Sequence, residues 1–151
     1  MGTLLNAQEA RELARGKRAV FTNGCFDLLH VGHLRYLQAA RKLGDLLIIG
    51  LNSDKSVQAL KGPSRPILPE EERAELLNGL ACVDAVVLFD EPTASRLLTE
   101  IEPALYVKGG DYAVETLPET PVVRAYGGEI VILPFVEGRS TSSIVEKIQG
   151  G

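Results

Sequence analysis

Residues 19–33 read Ala19-Val20-Phe21-Thr22-Asn23-Gly24-Cys25-Phe26-Asp27-Leu28-Leu29-His30-Val31-Gly32-His33. A short apolar run leads into a glycine-bearing loop, and the loop leads into a helical pattern that begins near Val31. The chain holds two histidines, and both stand here, three residues apart around Gly32. A helix starting at this point aims free backbone N–H groups and a positive dipole end at whatever precedes it. Gly32 has no Cβ, so an anion can come close to the backbone. Imidazoles one helical turn apart can face one ligand. They can donate to phosphoryl oxygens, most strongly as charge builds in a transition state. The stretch reads as a phosphate site at the end of a strand. The plainer reading is a pair of surface or capping histidines; Gly32 and the preceding strand weigh against it.

Further apolar runs lie at 46–51, 85–89, 105–107 and 130–133, and with 19–22 they make five predicted strands. They are continuous rather than alternating, as in strands buried on both faces. Helical patterns at 31–43, 69–81, 93–101, 120–125 and 142–149 fall between or after them, and a polar helix is expected over 6–14. Pro69 followed by Glu70, Glu71 and Glu72 is a helix start. Gly44 and the pair Gly127-Gly128 are stop signals. This alternation predicts an α/β protein: a single doubly wound, parallel, five-stranded sheet with helices on both faces, all 151 residues forming one domain. Ligands of such folds bind at the carboxyl ends of the strands, where strand order reverses. The loops expected there are 23–31, 52–68, 108–116 and 134–141. The second is long and carries Lys55, Lys61 and Arg65, so it reads either as a binding loop or lid or as a solvated surface loop.

Composition narrows the partners. Hydrophobic residues make up 45% and charged residues 24%, with a net charge of −4. That balance argues against nucleic acid or a membrane surface, which call for clustered positive charge. No stretch approaches the length of a membrane span, and the first eighteen residues lack the apolar centre of a signal peptide. Cys25 and Cys82 are too few for a disulfide framework or a zinc site. A reduced, cytoplasmic protein is expected.

Two more segments carry chemistry. Glu137-Gly138-Arg139-Ser140-Thr141-Ser142-Ser143 places a base and four hydroxyls at the start of the last helix. Ser143 with Glu146 fits a capping box, and the same geometry makes an oxyanion nest for a triphosphate. Lys108-Gly109-Gly110-Asp111-Tyr112 follows a strand. Lys108 can reach phosphates, Gly109 lets a flat ligand lie on the backbone, and Asp111 can accept from a ribose hydroxyl; a glycine turn without a ligand is the bland alternative. There is no G-x-x-x-x-G-K-[ST] and no G-x-G-x-x-G. Metal binding by the two imidazoles is a weak reading, since zinc needs three or four protein ligands. Asp27 remains a candidate for a water-mediated Mg²⁺ contact.

The stretch 24–33 resembles the first signature of the HxGH nucleotidylyltransferase superfamily, and 137–143 resembles its second. Leu28 favours the cytidylyltransferase-like branch. Three further stretches, Lys61-Gly62-Pro63-Ser64-Arg65-Pro66, Val107 to Tyr112 and Leu133 to Thr141, resemble the adenylyltransferase domain that acts on D-glycero-β-D-manno-heptose 1-phosphate. The resemblance covers 17–149. It implies a Rossmann-like nucleotidylyltransferase fold and transfer of AMP from ATP to a sugar 1-phosphate, giving ADP-heptose and pyrophosphate, with Mg²⁺ accompanying ATP. It assigns catalysis to His30, His33 and Lys61, and ATP binding to Asn23, Gly24, Cys25, Phe26, Gly32, Lys108, Gly109, Asp111, Arg139, Ser140, Thr141 and Ser142. Asp27 and Arg65 are left for the sugar phosphate and the metal. No resident protein-bound metal is implied, and the resemblance suggests a homodimer; in many relatives such a domain is fused to a sugar kinase, and at 151 residues a stand-alone transferase is expected. A cytidylyltransferase acting on glycerol 3-phosphate or another phosphorylated alcohol stays open at this point, as does a nucleotide-binding sensor without catalysis.

Overall fold

Six parallel strands form one sheet in the computed structural model, which describes residues 2–134 and Ile148. The strands are β1 (Thr3–Leu4), β2 (Ala19–Gly24), β3 (Leu46–Asn52), β4 (Ala85–Phe89), β5 (Leu105–Gly109) and β6 (Glu129–Leu133). The helices are α1 (Ala7–Ala14), α2 (Val31–Arg41), α3 (Asp54–Lys61), α4 (Glu70–Asn78), α5 (Ser95–Ile101) and α6 (Thr120–Ala125). The spatial order is β1-β4-β3-β2-β5-β6. The chain walks outward from β2 to β4, then returns to the other side of β2 for β5. Strand order therefore reverses between β2 and β5, and their carboxyl ends flank the crevice where such sheets bind ligands.

Side chains alternate across the central strands and build two cores. Phe21, Ile48, Val87 and Tyr106 face the layer of α1, α5 and α6. Val20, Leu47, Ile49, Val86 and Leu105 face Leu37 and Ala40 of α2 and Ala74 and Leu77 of α4. Gly50 leaves the first face clear for Phe21, whose ring would stand 2.6 Å from a Cβ there.

Two expectations need correction. The sheet has six strands rather than five, because the two residues of β1 pair with β4 at one edge. A two-residue strand offers no apolar period to read. The segment expected as one long loop over 52–68 contains α3, capped by the Ser53 side chain on the Ser56 amide. Only Ser56 and Val57 of α3 are buried, so the helix carries almost no apolar stripe. The segment 135–147, with Arg139, Ser140, Thr141 and Ser142, lies outside the described residues; of the expected last helix, Ile148 is described and is helical.

Candidate active site

The loop after β2 delivers both imidazoles to the crevice. His30 is the N-cap of α2, in extended backbone conformation. Its Nδ1 accepts from the Gly32 amide at 3.1 Å. The His33 Nδ1 reaches back to accept from the His30 amide at 3.3 Å. Two orphan donors of the helix start are thereby satisfied reciprocally, in the manner of a capping box but with imidazoles. A neutral imidazole has one donor and one acceptor nitrogen. With each Nδ1 accepting, each proton sits on Nε2, so both rings present N–H donors.

The rings stack with centroids 3.9 Å apart, and the Phe26 ring meets His33 edge-on at 5.3 Å. Burial, with the neighbouring His30 and Lys61 adding to it, lowers the His33 pKa to about 4. His33 is thus neutral near pH 7 and keeps its Nε2 proton to donate. Lys61, the last residue of α3, adds its charge at both His33 and Cys25. The structure brings it to the imidazoles from a helix end rather than from a loop.

A family model described as cytidylyltransferase-like matches residues 21–145. The chain belongs to the cytidylyltransferase-like family. Its relatives include the bifunctional protein HldE of Trichlorobacter lovleyi, 55% identical over 139 residues that cover 92% of this chain and 28% of that protein. The bifunctional protein HldE of Geobacter sulfurreducens is 56% identical over 139 residues, again 28% of its length. This cytidylyltransferase-like chain therefore spans less than a third of the length of those curated relatives. Among solved structures it is similar to the lipopolysaccharide core biosynthesis protein of Thermoplasma volcanium, with TM-score 0.66 and 27% identity over 82% of this chain and 100% of that one. Pantothenate synthetase of Thermus thermophilus, 20% identical with TM-score 0.65, shares the fold.

The other expected residues of this family member fall on both sides of the crevice. Asn23 and Gly24 end β2, and Cys25 and Phe26 open the loop. Burial pushes the Cys25 thiol up, and Lys61 and Arg73 act in the opposite direction. Lys108 and Gly109 end β5, next to β2. The Lys108 ammonium stands 5.3 Å from the Tyr112 ring centroid, and Asp111 is exposed beyond the strand.

Asp27 is placed differently from the expectation, and Arg65 is paired with it. The Asp27 side chain is fully buried. It accepts from Arg65 Nε at 2.8 Å and from the amides of Ile67 and Leu68 at 2.8 and 3.0 Å. Burial alone would raise its pKa, but these donors hold the carboxyl below its usual value. The carboxylate expected to face a sugar phosphate or a metal is committed to the 65–68 loop. Arg65 Nη2 is buried without a hydrogen-bond partner, so its N–H groups stand unpaired beside the Asp27 carboxylate.

Arg73 was missed by the sequence reading. It is fully buried in α4 and makes four hydrogen bonds. Nη1 donates to the carbonyls of Cys25 and Asn52, both at 2.7 Å. Nε donates to the Leu68 carbonyl at 2.9 Å, and Nη2 meets Asp54 at 2.8 Å. One guanidinium thus ties the histidine loop, the end of β3, the 65–68 loop and the start of α3. The signal was present in the sequence: Arg73 stands four residues before Leu77, on the apolar side of its helix.

Proposed function

We propose that this chain catalyses adenylyl transfer from MgATP to a sugar 1-phosphate, with D-glycero-β-D-manno-heptose 1-phosphate as acceptor and ADP-heptose and pyrophosphate as products. The observation that carries the reading is the pair of Nε2–H donors, fixed by backbone amides at a helix start beside the switch point. The 55% identity to bifunctional HldE proteins and the likeness to a lipopolysaccharide core biosynthesis protein support the heptose acceptor and a role in lipopolysaccharide core assembly.

A phosphate oxygen of the acceptor attacks the α-phosphorus of ATP in line. The new P–O bond forms as the bond to the bridging oxygen breaks, and pyrophosphate departs with the electron pair. No covalent enzyme intermediate is required, so the protein supplies position and charge stabilisation. His30 and His33 donate from Nε2 to the α- and β-phosphate oxygens. Lys61 neutralises charge on the triphosphate, and the Arg65 guanidinium takes the acceptor phosphate through its spare donor. Gly109 and Asp111 hold the nucleoside; Arg139, Ser140, Thr141 and Ser142 complete the phosphate contacts.

Magnesium enters as part of the nucleotide substrate. Among the described residues no group of three His, Cys, Asp or Glu side chains is placed to hold a metal ion, and the Asp27 carboxylate is fully engaged. Magnesium bound through phosphates and waters fits that donor set. No helix among the described residues is long and apolar enough to cross a membrane. The homodimer suggested by the family likeness belongs to this proposal and is checked by light scattering.

The deciding experiment follows pyrophosphate release with ATP or CTP against heptose 1-phosphates and glycerol 3-phosphate, with the product identified by mass. ADP-heptose from ATP is the expected product. Turnover of CTP with glycerol 3-phosphate alone would replace the reading with that of a small-alcohol cytidylyltransferase. ATP binding without pyrophosphate release across the panel would make the chain a nucleotide-binding module.

A further inference from the structure

The crevice between β2 and β5 is a place where a sheet has come apart. On its outer side β2 pairs with β3 through its whole length, from Ala19↔Leu46 to Gly24↔Leu51. β5 likewise pairs with β6 to Gly109↔Leu133. Between β2 and β5 the pairs are Val20↔Leu105 and Phe21↔Tyr106. Beyond them the two central strands have no ladder, although the site residues Asn23, Gly24, Lys108 and Gly109 all lie in that stretch.

Side chains span the gap instead. From one face, Tyr36 of α2 places its hydroxyl 2.7 Å from Thr22 Oγ1 and 3.2 Å from the Val107 carbonyl oxygen. A carbonyl can only accept, so the phenol proton goes to Val107, and the phenol oxygen accepts the Thr22 proton. From the other face, the Tyr106 hydroxyl lies 2.6 Å from Asn23 Oδ1. Thr22 is fully buried, and burial pushes the Tyr36 phenol up to about 12. The link therefore persists unchanged through neutral pH.

Tyr36 is also in the second turn of the helix that His30 caps and whose first turn holds His33. Its hydroxyl joins that helix to β5, the strand that carries Lys108 and Gly109. We propose that Tyr36, with Thr22, is a positioning residue that sets the width of the β2–β5 crevice and holds the phosphate half of the site in register with the nucleoside half. The coupling to nucleotide rests on the adenylyltransferase reading; the brace itself does not.

Tyr36→Phe removes both bonds and Thr22→Val breaks the bridge at its β2 end, each with little change in volume, and Thr22→Ser restores the hydroxyl. Amide exchange in the ligand-free protein reads the brace directly. Residues 22–24 and 107–109 should exchange about tenfold faster in Tyr36→Phe and Thr22→Val. The β3–β4 amides should stay as in the parent, and Thr22→Ser should behave like the parent throughout. If Tyr36→Phe does not fold, Thr22→Val carries the same test. Unchanged exchange at those six positions overturns the brace.

Binding then reads the coupling. ATP spans both halves, whereas inorganic tripolyphosphate draws on the phosphate half without the nucleoside contacts of Gly109 and Asp111. Affinity for ATP should fall about tenfold in Tyr36→Phe while affinity for tripolyphosphate is kept. An equal loss for both ligands overturns the coupling. Failure of the parent protein to bind ATP overturns the adenylyltransferase reading, and amide exchange still decides the brace.

Discussion

His33 accepts the backbone amide of His30 through Nδ1, so each imidazole in the crevice is held by the helix start it helps to cap. In the proposed adenylyl transfer, capping and chemistry belong to different nitrogens of the same ring, so mutation can separate them. Asparagine is a good N-cap but has no group where Nε2 stands. His30→Asn should unfold within about 0.5 kcal/mol of the parent, whereas His30→Ala should cost about 1 kcal/mol. Both should lose roughly 100- to 1000-fold in turnover, the range for one donor to a developing oxyanion. Urea titration and pyrophosphate release measure the two effects independently. Near-parent turnover in both variants would remove His30 from the chemistry.

The stacked rings also predict a pH dependence. His33 titrates at about 4 in the folded chain against 6.5 for a free histidine, chiefly because it is buried, with His30 and Lys61 adding to the effect. Between those values the unfolded chain binds the proton and the folded chain does not. The contribution is complete above about 6.5 and is lost as pH falls toward 4, so stability rises with pH across that window. The urea midpoint followed from pH 4 to 6.5 should climb in the parent and climb less in His33→Gln. An NMR titration of the His33 ring with a midpoint near 6.5 would contradict the geometry.

Much of this was legible because the strands here are buried on both faces, and continuous runs such as Leu46 to Leu51 say so in the sequence. The His30-Val31-Gly32-His33 stretch announced the helix start that the structure places at Val31. β1 was illegible because its place comes from pairing with β4, a tertiary fact. α3 was hidden because Val57 is the one apolar side chain it buries. Asp27 was misjudged for a related reason. A carboxylate beside a phosphate site looks available until the chain forty residues away is folded over it.

Arg73 should be among the least replaceable side chains in the molecule. Its four bonds reach three backbone carbonyls and Asp54, all from full burial. Arg73→Ala would strand those acceptors together, at a cost of about 3 kcal/mol or more. Lysine offers three donors on a flexible stem without the planar fork, so Arg73→Lys should recover part of the stability and little of the loop geometry. Denaturant midpoints rank the variants. Turnover should fall in both, because the Cys25 carbonyl lies in the loop that ends at His30. A parent-like midpoint for Arg73→Ala would show that water replaces the guanidinium without cost.

Asp27 gives a prediction opposite to that of a substrate ligand. Its carboxylate collects Arg65 and the Ile67 and Leu68 amides, so it anchors the chain between α3 and α4. Asparagine keeps the shape but sets an NH₂ group against donors, so Asp27→Asn should be nearly as damaging as Asp27→Ala, at about 1–3 kcal/mol. The carboxyl is held below its usual 3.8 when folded, so its contribution is present above that value and fades as pH falls below it. The acid limb of the stability curve should therefore be shallower in Asp27→Asn. Limited proteolysis should cut both variants within 62–68 before the sheet is touched. A substrate ligand would behave otherwise: Asp27→Asn would leave stability and proteolysis unchanged and raise only the KM for the sugar phosphate.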